Sequence, residues 1–126
     1  MNYDHVEDHE LLYRAVPKFP NYWNKDRNSV SSALFKDKNG VSVDRDGNRK
    51  EKVICKQLQN KISNSIAAIS VKTNSVRSIS ALVLPKPSNA NQYHAEIHDS
   101  ETKILLSSSK AKRLSKMGKL IWFTVK

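Results

Sequence analysis

The chain has 126 residues, of which 38% are hydrophobic and 27% charged, with three glycines and four prolines; this suits one soluble domain with a real core and argues against long disordered linkers. No apolar run approaches bilayer-spanning length, the N-terminus MNYDHVEDHE lacks a basic-then-apolar secretory pattern, and the single cysteine excludes an intrachain disulfide and any zinc site built on several cysteines, so a cytoplasmic protein without a membrane association is expected. Lys and Arg number 22 against 12 acids, a net charge of +10. This field favours polyanionic partners, nucleic acid first, without saying which sequence they carry.

Residues 1–10 read as an acidic tail and 11–126 as one domain. Residues 1–12 hold four acids and no Lys or Arg, whereas 102–126 hold seven bases and no acid. ELLYRAV (10–16) reads as the first strand, stopped by Pro17. PKFPNYWNKDRN (17–28) reads as a structured loop whose Phe19, Tyr22 and Trp23 plug the core; the alternative is an aromatic platform for stacking bases. VSSALF and GVSV read as two strands joined by KDKNG, since Asn-Gly is a strong hairpin dipeptide. DRDGN is a second turn, in which Asp46 or Asn48 caps the next helix.

In RKEKVICKQLQNKI, Ile54, Leu58 and Ile62 recur every four residues and Val53 widens the stripe, which predicts a helix; Cys55 on it reads as a packed thiol. SIAAISV (65–71) and ISALVLP (79–85) read as buried strands around a turn or single helical turn, KTNSVRS. QYHAEIH (92–98) alternates as a half-buried strand does. SSSKAKRLSKMGK (107–119) reads as a serine-capped amphipathic helix with Ala111, Leu114 and Met117 inward and Lys112, Arg113, Lys116 and Lys119 outward. LIWFTV (120–125) closes the chain as a strand. The mixed order predicts an α+β single domain, one mixed or antiparallel sheet with two main helices.

The acids at 42–53 invite a test as a calcium loop. With Gly47 at position 6, Ser42, Asp44 and Asp46 fall at positions 1, 3 and 5, but position 12 is Val53 and the bidentate carboxylate is missing. A polar turn is the better reading. Along YHAEIH, His94, Glu96 and His98 project from one face of a strand and Ala95 and Ile97 from the other. That face suits a metal, or a general acid/base pair with Glu96 beside a histidine; the plainer reading is the solvated face of an edge strand. Arg14 sits among apolar neighbours and needs a partner, Glu96 or an acid of 44–46, or serves as an anion clamp. Ser31 and Ser32 are candidate catalytic or hydrogen-bonding hydroxyls without a nucleophile-elbow motif around them. His5 and His9 are four apart within the acidic tail.

The ordered string LYRAV, VSSALFK, GVSVDRD, AAISV, YHAEIH and AKRLSK resembles a family of small uncharacterised bacterial proteins over residues 11–115. The resemblance implies one compact domain with polar positions at Arg14, Ser31, Ser32, Asp44, His94 and Glu96, and brings no activity. A fainter similarity is to ADP-ribosyltransferase-like domains, in which an early Arg, a Ser-x-Ser and a late Glu occur in the order of Arg14, Ser31-Ser32 and Glu96. Here the serines are adjacent and no Glu-x-Glu is present.

Three functions follow as expectations. The first is a nucleic-acid-binding accessory or regulatory protein of a bacterial defence, toxin or mobile-element system. It would neutralise phosphates with Lys110, Lys112, Arg113, Lys116 and Lys119 and with a second patch of Arg45, Arg49, Lys50 and Lys52. The second is a small enzyme acting on RNA or a nucleotide, with His94 or His98 as acid/base, Arg14 as clamp, Glu96 as orienting carboxylate and Ser31 and Ser32 nearby; no cofactor is called for. The third is an interaction subunit or inhibitor whose basic helix meets an acidic protein.

Overall fold

A computed structural model describes residues 1–25 and 28–124. Six strands form one antiparallel sheet: β1 (Leu11–Pro17), β2 (Val41–Arg45), β3 (Ser65–Lys72), β4 (Leu82–Pro85), β5 (His94–His98) and β6 (Lys119–Trp122). Their order across the sheet is β4-β5-β2-β1-β3-β6. Helices α1 (Glu51–Lys61), α2 (Thr73–Ser78) and α3 (Ser108–Met117) and two 3-10 turns, Pro20–Tyr22 and Ser32–Phe35, complete the α+β domain. The loop read over 17–28 includes Asp26 and Arg27, and the closing strand read over 120–125 includes Val125; these lie outside the described residues.

Strand alternation divides the apolar residues between two clusters. Leu12, Val16, Val43, Ile69, Ala95 and Ile97 point to the front face, where they pack with Leu34 and Phe35 and with Ala111 and Leu114 of α3. Tyr13, Ala15 and Ala68 point to the back, where Ile54 and Leu58 of α1 cover them. α1 is thus a lid on the β1–β3 half of the back face. Among the described residues, α1 packs mainly on β3 and β1 rather than on the β2–β5–β4 half of that face.

Several local expectations change once the sheet is in place. VSSALF is not a strand. Val30 makes one isolated bridge to Trp23, and Ser32–Phe35 is a 3-10 turn. Leu34 and Phe35 are adjacent and both buried; a strand would send one of them to solvent, whereas a helical turn aims both inward. There is accordingly no hairpin around KDKNG. Its Gly40 turns the chain into β2 at φ +101°. Asp46 and Asn48 do not cap α1, whose N-cap is Lys50 with no side-chain bond. Asp46 instead accepts from the amides of Leu11 (3.0 Å) and Asn48 (3.2 Å), tying its own turn to β1.

Three apolar residues expected inside are exposed. Phe19 is 46% exposed and Met117 41%, and Val53 faces water. Met117 is the last residue of α3. β5 is not an edge strand, because β4 pairs along its outer side. In the N-terminal segment, Val6 is fully buried in the front cluster. Among the described residues, no helix is long and apolar enough to cross a membrane.

The seam between β1 and β2 is short. Only Leu12 with Arg45 and Tyr13 with Asp44 are paired before the strands diverge. Arg14 stands where the ladder ends, and its side chain takes over the bonding.

Candidate functional site

On β5, Ala95 and Ile97 enter the front core and His94, Glu96 and His98 point to the β2–β5–β4 half of the back face, as alternation predicts. One carboxylate joins both rings: Glu96 Oε1 lies 2.9 Å from His98 Nε2 and Oε2 lies 3.6 Å from His94 Nε2. Gly40 makes room for this cluster. A Cβ there would stand 2.6 Å from Glu96 Oε1 and 2.9 Å from His98 Nε2, at a positive φ that side chains rarely adopt. Among the described residues, no group of three or more His, Cys, Asp and Glu is placed to hold a metal ion; the contacts in this cluster are between the two rings and their shared carboxylate.

Beside it, where β1 and β2 diverge, lies a cavity of about 280 Å³ lined by Arg14, Tyr22, Asp44, Lys61 and His94 among others. Asp44 accepts from Asn91 Nδ2 at 2.9 Å and pairs with Lys61 at 3.4 Å. Arg14 does not pair with Glu96 or with the acids of 44–46. Its Nε donates to the Leu34 carbonyl and its Nη1 to the Ser42 carbonyl, each at 2.8 Å. Burial lowers its pKa, with Asp37 and Tyr22 acting in the opposite sense. The guanidinium therefore staples the diverging strands and leaves positive charge on the cavity wall.

Ser31 and Ser32 are elsewhere. They line a larger cleft, about 680 Å³, on the front, with Asn24, Lys112, Lys116 and Leu120. Ser31 Oγ donates to the Asn21 carbonyl at 2.6 Å. Arg14 and His94 thus converge, with Glu96 one contact behind, while the two serines belong to a different site.

The front cleft owes its shape to α3. Ser107 caps the helix by accepting from the Lys110 amide at 3.2 Å. Ala111 and Leu114 are buried, which turns Lys112, Arg113 and Lys116 outward. At the far end Gly118 lets the chain press onto β3: a Cβ there would be 2.3 Å from Ile69 Cγ1. None of Lys112, Arg113 and Lys116 has an ion-pair partner among the described residues.

The other expected cations are already engaged to different degrees. Lys110 Nζ donates to the carbonyls of Asp99 (2.7 Å) and Ser80 (2.9 Å) and lies 3.5 Å from the Asp99 carboxylate. The Ser107 amide, more than Lys110, holds the Asp99 carboxyl below its usual range. Lys119 reaches Glu51 at 3.6 Å but remains largely exposed. Lys50 and Lys52 are exposed.

Arg45 is not a surface residue. It is 0% exposed, with Nε 2.7 Å from Glu10 Oε1 and Nη2 2.8 Å from Glu10 Oε2. Arg49 lies 3.6 Å over the Tyr93 ring and donates to the carbonyls of Arg45 and Asp46 and to Gln57. The second patch is therefore reduced to Lys50 and Lys52.

The front face also carries a stacked aromatic pair. Trp122 at the end of β6 is 53% exposed and stacks on Trp23, with ring centroids 5.0 Å apart and planes 10° from parallel. LIWFTV reads only as a closing strand, and nothing local marks it as an edge. The alternation that places Leu120 in the cleft puts Trp122 on the same face.

Fold and clefts together define a single-sheet α+β protein with a cationic cleft on one face and an imidazole–carboxylate cluster on the other. No family model, no curated protein and no solved structure matches the chain.

Proposed function

We propose that this protein binds nucleic acid through its front cleft, as an accessory or regulatory factor. The observation that carries the reading is the row Lys112, Arg113 and Lys116, exposed on one helix and free of carboxylate partners among the described residues. A cation without a local carboxylate keeps its full field for an incoming phosphate. The +10 charge of the chain adds long-range attraction. A mobility-shift titration against RNA and DNA tests this. Binding at low salt should fall steeply as salt rises. Replacing Lys112, Arg113 and Lys116 together by Ala should weaken it and lower the slope of log K against log salt by roughly 2 to 3. No retention of either polymer at low salt removes the proposal.

A second reading rests on the gap between β1 and β2, where Arg14 from the front and His94 from the back line one cavity and Glu96 contacts His94 and His98. This is the arrangement of an acid/base pair beside an anion clamp and suits a reaction on an RNA or nucleotide phosphate. Separate His94→Ala, Glu96→Ala and Arg14→Ala variants should lose such a reaction while His94→Ala and Glu96→Ala keep the fold. Unchanged turnover in all three would end that reading.

A further inference from the structure

Resting on the nucleic-acid reading, we propose that the partner is single-stranded and that one of its bases stacks on the outward face of Trp122. A single exposed apolar residue is common; Trp122 is set apart by being 53% exposed on top of a stacked aromatic support. Trp23 covers one face of Trp122 in a nearly parallel stack. Trp23 itself is buried, and its Nε1 donates to the Pro17 carbonyl at 2.8 Å, which fixes the lower ring of the pair. The upper ring is thus held flat by a fixed support and presents its other face to solvent. That is the geometry of a base platform, set before the ligand arrives.

The surroundings supply the backbone contacts. Leu120, two residues earlier on the same strand and face, lies in the front cleft with Lys112 and Lys116. Trp122 also lines a smaller cavity of about 330 Å³ between α1 and β6, with Lys52 and Gln59. Trp122 therefore stands between two lysine-bearing clefts, one on each side of an edge strand. A flexible strand can wrap that edge, placing a base on the ring and phosphates against lysines on both sides. A duplex cannot, because its bases are stacked on one another and offer only edges in the grooves.

The test is fluorescence anisotropy with labelled oligothymidylate and oligouridylate, and with a linear, fully paired duplex of equal charge, alongside quenching of the intrinsic tryptophan emission. The full chain should prefer either single strand to the duplex, and binding should quench the emission. Trp122→Ala should weaken single-strand binding roughly 5- to 150-fold, the range carried by one base–aromatic stack. Trp122→Phe should retain most of it, and neither change should alter duplex binding. If Trp122→Ala binds single strands as the parent does while Lys112→Ala with Lys116→Ala does not, stacking is overturned and the phosphate reading stands. If the duplex binds as well as the single strands, the inference is also overturned. If no polymer binds at low salt, both fall. Matching thermal melts of Trp122→Phe and the parent keep the comparison free of unfolding.

Discussion

A single pair shows how far a residue's role depends on distant sequence. Arg45 and Glu10 are 35 positions apart, and together they bury a guanidinium and a carboxylate with two short hydrogen bonds. Removing one partner of such a pair strands the other charge, so Glu10→Gln should destabilise the fold by about 3–5 kcal/mol. Urea denaturation of Glu10→Gln, Arg45→Met and the double variant checks this; the double variant should recover much of the loss. The pair also sets an acid limb. Burial alone would raise the Glu10 pKa, but the Arg45 hydrogen bond and the Glu7 amide outweigh it, and the net value lies below the ordinary 4.5. A lowered folded pKa gives stability that is complete above the unfolded value and lost as pH falls through the folded one. The urea midpoint of the parent should therefore drop below about pH 4.5, with Glu10→Gln showing a shallower fall.

Arg45 reads as part of a basic patch with Arg49, Lys50 and Lys52, and nothing within the strand points to Glu10. By contrast the placement of His94, Glu96 and His98 was legible, because a two-residue period needs no knowledge of the rest of the fold.

At the scale of elements, α3 was legible almost to its ends: the serine cap and the spacing of Ala111 and Leu114 are local signals. Ser107→Ala should cost about 1 kcal/mol by loss of that cap. Gly118 is a second weak point. Its φ is ordinary, so the constraint is steric, and Gly118→Val should destabilise by about 1–3 kcal/mol as Ile69 is displaced. On α1, Leu58→Ala should cost about 2–5 kcal/mol, since this side chain closes the back cluster. Thermal or urea unfolding ranks all three. The stretch 30–35 was not legible, because two adjacent large apolar residues fit a buried strand or a helical turn equally well until it is known which face has a core. Trp122 was hidden for a related reason: only the strand order shows that β6 is an edge.

Across the whole molecule, charge and chemistry are sorted to opposite faces. The cationic cleft is in front and the His94–Glu96–His98 cluster is behind, with the sheet between them. Substitutions on the two faces share no partners, so Lys112→Ala and His94→Ala should combine additively in stability, to within about 0.5 kcal/mol. A double-mutant cycle measures this.

The narrow join between β1 and β2 carries a consequence of its own. With only Leu12–Arg45 and Tyr13–Asp44 in register, the sheet is two three-stranded panels joined by a short seam: those two rungs, the Asp46–Leu11 bonds beside them and the Arg14 guanidinium. Among the described residues, α1 packs mainly behind β1 and β3 and not behind the panel of β4, β5 and β2. That panel's amides should take up deuterium sooner than those of β1 and β3 under native conditions, and clipping the Arg14 stitch with Arg14→Met should widen that gap in mass-resolved exchange.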